Sequence, residues 1–178
     1  MVDLSNANHQ IQLVTSFQEL VSTPYKKQIN AMCWQRELIG DFSEIVNKIE
    51  LTENIVEVSE EVLRDLELSQ NGQLAREIIL NDMRALNAHG GSPVLNVIKC
   101  YERDDLYPFF PTDVYSYHVD RSPIPTDTYL CTYHGESSEI VSNSQATQKI
   151  LIPEIREELK KIYRGPNNGF ESFLEENF

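Results

Sequence analysis

The stretch TDVYSYHVDRSPIPTDTYLCTYHGESSEIV (112–141) decides how this chain is read. Its segment VYSYHVD (114–120) alternates apolar and polar residues at the period of a half-buried strand. TYLCTYH (128–134) is rich in Thr and Tyr and reads as a second strand. Between them RSPIPTD (121–127) carries two prolines, which remove ladder donors, so it reads as a loop. Upstream, VLNVIKCY (94–101) is apolar and β-branched and follows a proline, which predicts a third strand. Residues 92–152 are therefore expected to form a small antiparallel β-rich core.

Working outward, residues 1–91 read as mainly helical. Thr15 with Gln18 has the spacing of a capping box ahead of Phe17 and Leu20. INAMCWQRELI (29–39) is ambiguous: Ile29, Ala31 and Cys33 alternate, whereas Trp34 and Leu38 suit a helix. Asp41, followed by Glu44, caps a helix carrying Phe42, Ile45, Val46 and Ile49. Ser59 caps another with Val62, Leu63 and Leu66. Asn71-Gly72 reads as a break, and Leu74, Ile78, Ile79 and Leu86 mark a further helix that Gly90-Gly91 ends. Beyond the β-region, Pro153 suits the first position of a helix holding Ile155, Leu159 and Ile162, and FESFLEENF (170–178) is amphipathic. Residues 153–178 thus form a helical tail. The expected fold class is α+β, one domain over 1–178, with N-terminal helices packed on the β-region and short C-terminal helices.

Fifteen Lys+Arg against 28 Asp+Glu leave a net charge of −13. That charge repels phosphate backbones and anionic lipid, which argues against nucleic-acid and membrane-surface partners. No apolar run approaches the roughly 20 residues of a membrane span. The N-terminal MVDLSNANHQ has no basic and apolar leader pattern, so a cytoplasmic location is expected. Three cysteines with no CxxC argue against a disulfide framework, and Cys33 and Cys100, among apolar neighbours, read as core. GxGxxG, GxxxxGK[ST] and GxSxG motifs are all lacking, which lowers the case for nucleotide chemistry and serine hydrolysis.

Metal-ligating residue types concentrate between 113 and 139. His118 and Asp120 are two apart, and on a strand they share a face. An imidazole nitrogen and a carboxylate oxygen would then meet one cation, two thirds of a 2-His-1-carboxylate triad. The competing reading is a hydrogen-bonded His and a turn-forming Asp at a strand end. His134, one strand on, is the candidate third ligand across a hairpin. Tyr115, Tyr117, Tyr129 and Tyr133 are read as cross-strand packing or as a pocket wall. Arg121 pairs either with a substrate carboxylate or with a neighbouring acid. Paired carboxylates among Asp113, Asp120, Asp127 and Glu139 would suit hydrolysis only at a defined separation.

The 112–141 stretch resembles the core of a bacterial family known only as a domain of unknown function, and NAMCWQREL (30–38) resembles that family's N-terminal tryptophan segment. HxD followed by a Thr-Tyr-x-Gly strand is also similar to the start of the cupin-like double-stranded β-helix of iron(II)- and 2-oxoglutarate-dependent oxygenases. The resemblance implies Fe(II) held by His118 and Asp120, with 2-oxoglutarate as co-substrate. It places Tyr133 and Gly135 on the following strand and turn, with Tyr133 and Arg121 as cofactor-binding candidates. Such oxygenases take a further His and a basic residue from late strands, and no His follows His134 here. The expectation is a metal-binding, dioxygenase-like relative with an incomplete site and exposed sheet edges that favour self-association. A non-catalytic domain is the alternative, docking a protein partner through its acidic surface and the amphipathic helices 41–50, 73–88 and 154–163.

Overall fold

A computed structural model of the protein describes residues 10–26, 28–104, 107, 109–120, 122 and 124–177. Among them the fold is mixed α+β, with six α-helices and two sheets of two strands each. The chain divides into two compact units, Met1–Tyr101 with Pro125–Glu139, and Glu102–Ile124 with Ile140–Phe178.

The first unit opens with β1 (Ile11–Val14), α1 (Phe17–Ser22) and β2 (Ala31–Trp34). The strands are parallel, in register from Ile11 opposite Ala31 to Val14 opposite Trp34. Parallel neighbours need a crossover, and α1 lies within it. The ambiguous 29–39 segment thus follows its alternation up to Trp34. Ser16 caps α1, its Oγ accepting from the Glu19 N–H at 3.1 Å. The Glu19 carboxylate accepts in turn from the Thr15 N–H and hydroxyl at 2.7 and 2.8 Å. The cap therefore lies one residue beyond the Thr15–Gln18 spacing.

Asp41 and Ser59 cap α2 (Phe42–Lys48) and α3 (Glu60–Asp65) as their spacing predicts. The Asn71-Gly72 break is corrected: both residues lie in the first turn of α4 (Gln70–Ala88), which Ser69 caps. A glycine is tolerated there because the Glu44 carboxylate fills the space a side chain would need. A Cβ on Gly72 would stand 2.3 Å from Glu44 Oε2. That carboxylate accepts from the Ser69 N–H at 2.8 Å and its hydroxyl at 2.5 Å, joining α2 to the start of α4. Gly40 (φ +107°) lets the chain turn into α2 against α4, where the Asp41 N–H donates to Asn71 O at 2.9 Å. Phe42, Ile45, Ile49, Val58, Leu63, Ala75, Ile79 and Leu80 form the core beneath these helices.

The predicted strand 94–101 shortens to β4 (Asn96–Ile98), which pairs antiparallel with β3 (Ile55–Glu57), Val97 opposite Val56. Cys100 lies past the end of that ladder and is exposed, contrary to its core reading; Cys33, on β2, is half-buried.

The two other expected strands, 114–120 and 128–134, form no ladder, and the reasons differ. At the first, the Asp113 carboxylate accepts from the backbone N–H groups of Asp104 and Tyr115 at 3.1 and 3.0 Å, and the Ser116 N–H returns to Asp113 O at 3.2 Å. These local bonds turn the chain where a ladder would have to start. At the second, the period-two face is spent on α4. Tyr129 meets His89, and Tyr133 meets Asp82. Seven residues of helix rise about 10.5 Å, and four residues of extended chain span about 13 Å. The segment therefore tracks α4 in the opposite direction, with Tyr129 and Tyr133 turned to it, and no strand among the described residues pairs with it.

The second unit carries α5 (Pro153–Ile162) and α6 (Phe170–Asn177), with Pro153 at the start of α5 as its fixed φ predicts. Leu159, Phe170, Leu174 and Phe110 form its core. The Tyr163 ring packs on Phe170 and Phe173, and its hydroxyl donates to Pro166 O at 2.9 Å.

Candidate metal centre

His118 and Asp120 belong to the second unit and follow the Asp113 turn. His118 Nδ1 lies 2.7 Å from Ser116 O, so this nitrogen carries the proton and donates. In the neutral ring Nε2 is then the lone-pair nitrogen. It faces Asp120 Oδ1 at 3.5 Å. Two acceptors turned toward each other repel unless a proton or a metal cation lies between them. Anchoring of the non-ligating nitrogen by a carbonyl is also the usual support of a metal-bound histidine. Both side chains are about half exposed or more, and Val119 between them is 94% exposed.

The spacing tests the fit. Two N/O ligands about 2.1 Å from one ion stand about 3.4 Å apart in a tetrahedral set and about 3.0 Å apart as neighbours in an octahedral one. The observed 3.5 Å suits the tetrahedral set as it stands.

His134 belongs to the first unit, where it acts electrostatically on Asp41, and among the described residues no ladder forms the hairpin expected of 114–120 and 128–134. No group of three or more His, Cys, Asp and Glu side chains among the described residues is placed to hold a metal ion. Arg121 lies outside the described residues. Tyr133 also belongs to the first unit. Its hydroxyl donates to Asp82 Oδ2 at 2.8 Å, and its ring stacks on Phe42 at 5.6 Å. Burial, then the neighbouring Cys131 and Asp82, pushes its hydroxyl pKa well above the ordinary range.

The charged pair that holds Tyr133 joins residues that no local sequence pattern links. Arg36 grips both oxygens of Asp82, lies 4.2 Å over the Trp34 ring, and places Nη2 3.9 Å from Cys131 Sγ. The hydrogen bond to Asp82 raises the guanidinium pKa further, so the charge is fixed. Trp34 and Arg36, two apart at a strand end, were the available signal; nothing local points to Asp82, 46 residues on.

No protein-family model, curated protein or solved structure matches this chain. No helix among the described residues is long and apolar enough to cross a membrane.

Proposed function

We propose that this chain binds a divalent transition-metal ion through His118 and Asp120, as an oxygenase-like relative with an incomplete site. One observation carries the reading: a carbonyl-anchored imidazole turns its free nitrogen to a carboxylate oxygen at ligand-to-ligand spacing. The remaining positions on the ion would be filled by water or a small-molecule ligand. Bound there, the metal would supply Lewis acidity or, as Fe(II), redox chemistry. The chain's own contribution is to fix the imidazole tautomer and set the bite. Tyr133 does not fit a 2-oxoglutarate role, because its hydroxyl is committed to Asp82.

Metal analysis and calorimetric titration of Zn(II), Mn(II) and anaerobic Fe(II) test the reading. Wild type is expected to bind one ion, with Zn(II) tightest, and His118→Ala to lose it. Equal metal binding by both proteins ends the claim. With Fe(II) and 2-oxoglutarate present, no succinate is expected; its formation would make the site complete and the protein an oxygenase.

A second reading, the non-catalytic interaction domain, is favoured by apolar side chains left in solvent. In the second unit these include Val119 (94% exposed) and Ile124, and in the first Leu130. With a net charge of −13, the partner would be basic. Stoichiometric metal binding lost on His118→Ala separates the two readings.

A further inference from the structure

Beside α4, in the first unit, opens a cleft of about 280 Å³. Phe17, Trp34, Ile78 and Ala85 give it apolar walls, and Asn81 with the Arg36–Asp82 pair gives it one polar side. That polar side is unevenly spent. The acceptors are used: Asp82 takes hydrogen bonds from Arg36 and Tyr133, and Asn81 Oδ1 takes one from Arg84 Nη1 at 2.8 Å. The donors are not. Neither the Trp34 indole N–H nor the Asn81 amide N–H meets a partner among the described residues.

Each feature selects a property of the occupant. Aromatic and aliphatic walls select a flat apolar body, and unspent donors select an acceptor on its edge. The volume lies just below the usual range of ligand pockets, about 300–1,000 Å³, which limits the occupant to one or two fused rings. The Arg36 charge is already neutralised by Asp82, and the chain as a whole is strongly acidic, so an anion gains little here. We propose that this cleft binds a small uncharged planar aromatic molecule whose carbonyl or ring nitrogen accepts from Asn81 and Trp34. The inference does not rest on the metal reading, because no cleft residue is a candidate ligand.

Trp34 is the one tryptophan, so its indole N–H gives a single peak in an amide correlation spectrum. The probe is carbostyril, a neutral two-ring carbonyl compound, titrated into the intact protein. A saturable shift of the Trp34 indole and Asn81 side-chain peaks is expected. Asn81→Ala, which improves helix propensity, should bind about tenfold more weakly for one lost hydrogen bond. Ala85→Leu should fill the cleft and abolish saturation while the backbone spectrum is retained. Quinaldate, an anionic analogue, should bind more weakly than carbostyril. A linear, non-saturating shift with wild type overturns the proposal, as does wild-type affinity in both variants. Tighter binding of quinaldate overturns the assignment to an uncharged ligand.

Discussion

Tyr133 donates its hydroxyl to Asp82 Oδ2 at 2.8 Å, on the same carboxylate that Arg36 grips with two guanidinium nitrogens. One α4 side chain thereby anchors both the end of β2 and the Tyr-rich segment that follows the proline loop. Tyr133→Phe keeps the ring on Phe42 and removes only the hydroxyl bond, so a loss of about 1 kcal/mol is expected in urea denaturation.

The same tyrosine sets an alkaline limb. Its pKa is raised in the folded protein, while the unfolded value stays near 10. Above about pH 10 the unfolded chain loses a proton that the folded chain keeps, so stability falls as pH rises. Denaturation curves between pH 8 and about 11 should show that decline in wild type and a shallower one in Tyr133→Phe.

Glu44 sets the opposite limb. The Ser69 hydroxyl and then the Ser69 N–H hold its carboxyl below the ordinary range. A depressed carboxyl contributes stability above the unfolded value near 4.3 and loses it as pH falls through the folded one. Glu44→Gln should flatten acid unfolding in that window and loosen the start of α4, seen as faster amide exchange at Ser69.

Two positive-φ glycines are expected to differ when changed to alanine. At Gly90 (φ +93°) a Cβ meets nothing within 4 Å, so only the left-handed backbone is penalised, by about 1 kcal/mol. At Gly40 (φ +107°) the Cβ would stand 2.5 Å from Ala75 N and 2.8 Å from Asn71 O, both backbone atoms of α4. Gly40→Ala should cost clearly more, about 2 kcal/mol or above, because the helices must part. Equal thermal-midpoint shifts would contradict the close packing of α2 on α4.

Around the proposed metal pair, Asp113 would act as a support and not as a ligand. Its carboxylate fixes the turn before His118 through the N–H groups of Asp104 and Tyr115. Asp113→Ala should weaken Zn(II) binding by about tenfold, the low end for lost outer support. His118→Ala should abolish it. Val119→Ser, at a side chain almost wholly in solvent, should change neither affinity nor stability by more than about 0.5 kcal/mol.

Local chemistry was legible in the residues themselves. Asp41, Ser59 and Pro153 start helices where their spacing says, and Gly90 ends α4, because caps and fixed φ angles act within one turn. The α+β class followed from the same signals, whereas the strand on which His118 and Asp120 were expected to share a face does not form, and the two lie 3.5 Å apart just past a local turn. Partners distant in sequence were decided by the tertiary structure. Alternation in VYSYHVD and TYLCTYH announces a period of two but not what satisfies it. Asp113 took the Tyr115 and Ser116 N–H groups of the first, and Asp82 of α4 took the Tyr133 hydroxyl of the second. Likewise β4 found β3 and Arg36 found Asp82 across stretches no local pattern spans, since the choice among competing partners is settled by the whole packed arrangement and not by any one segment.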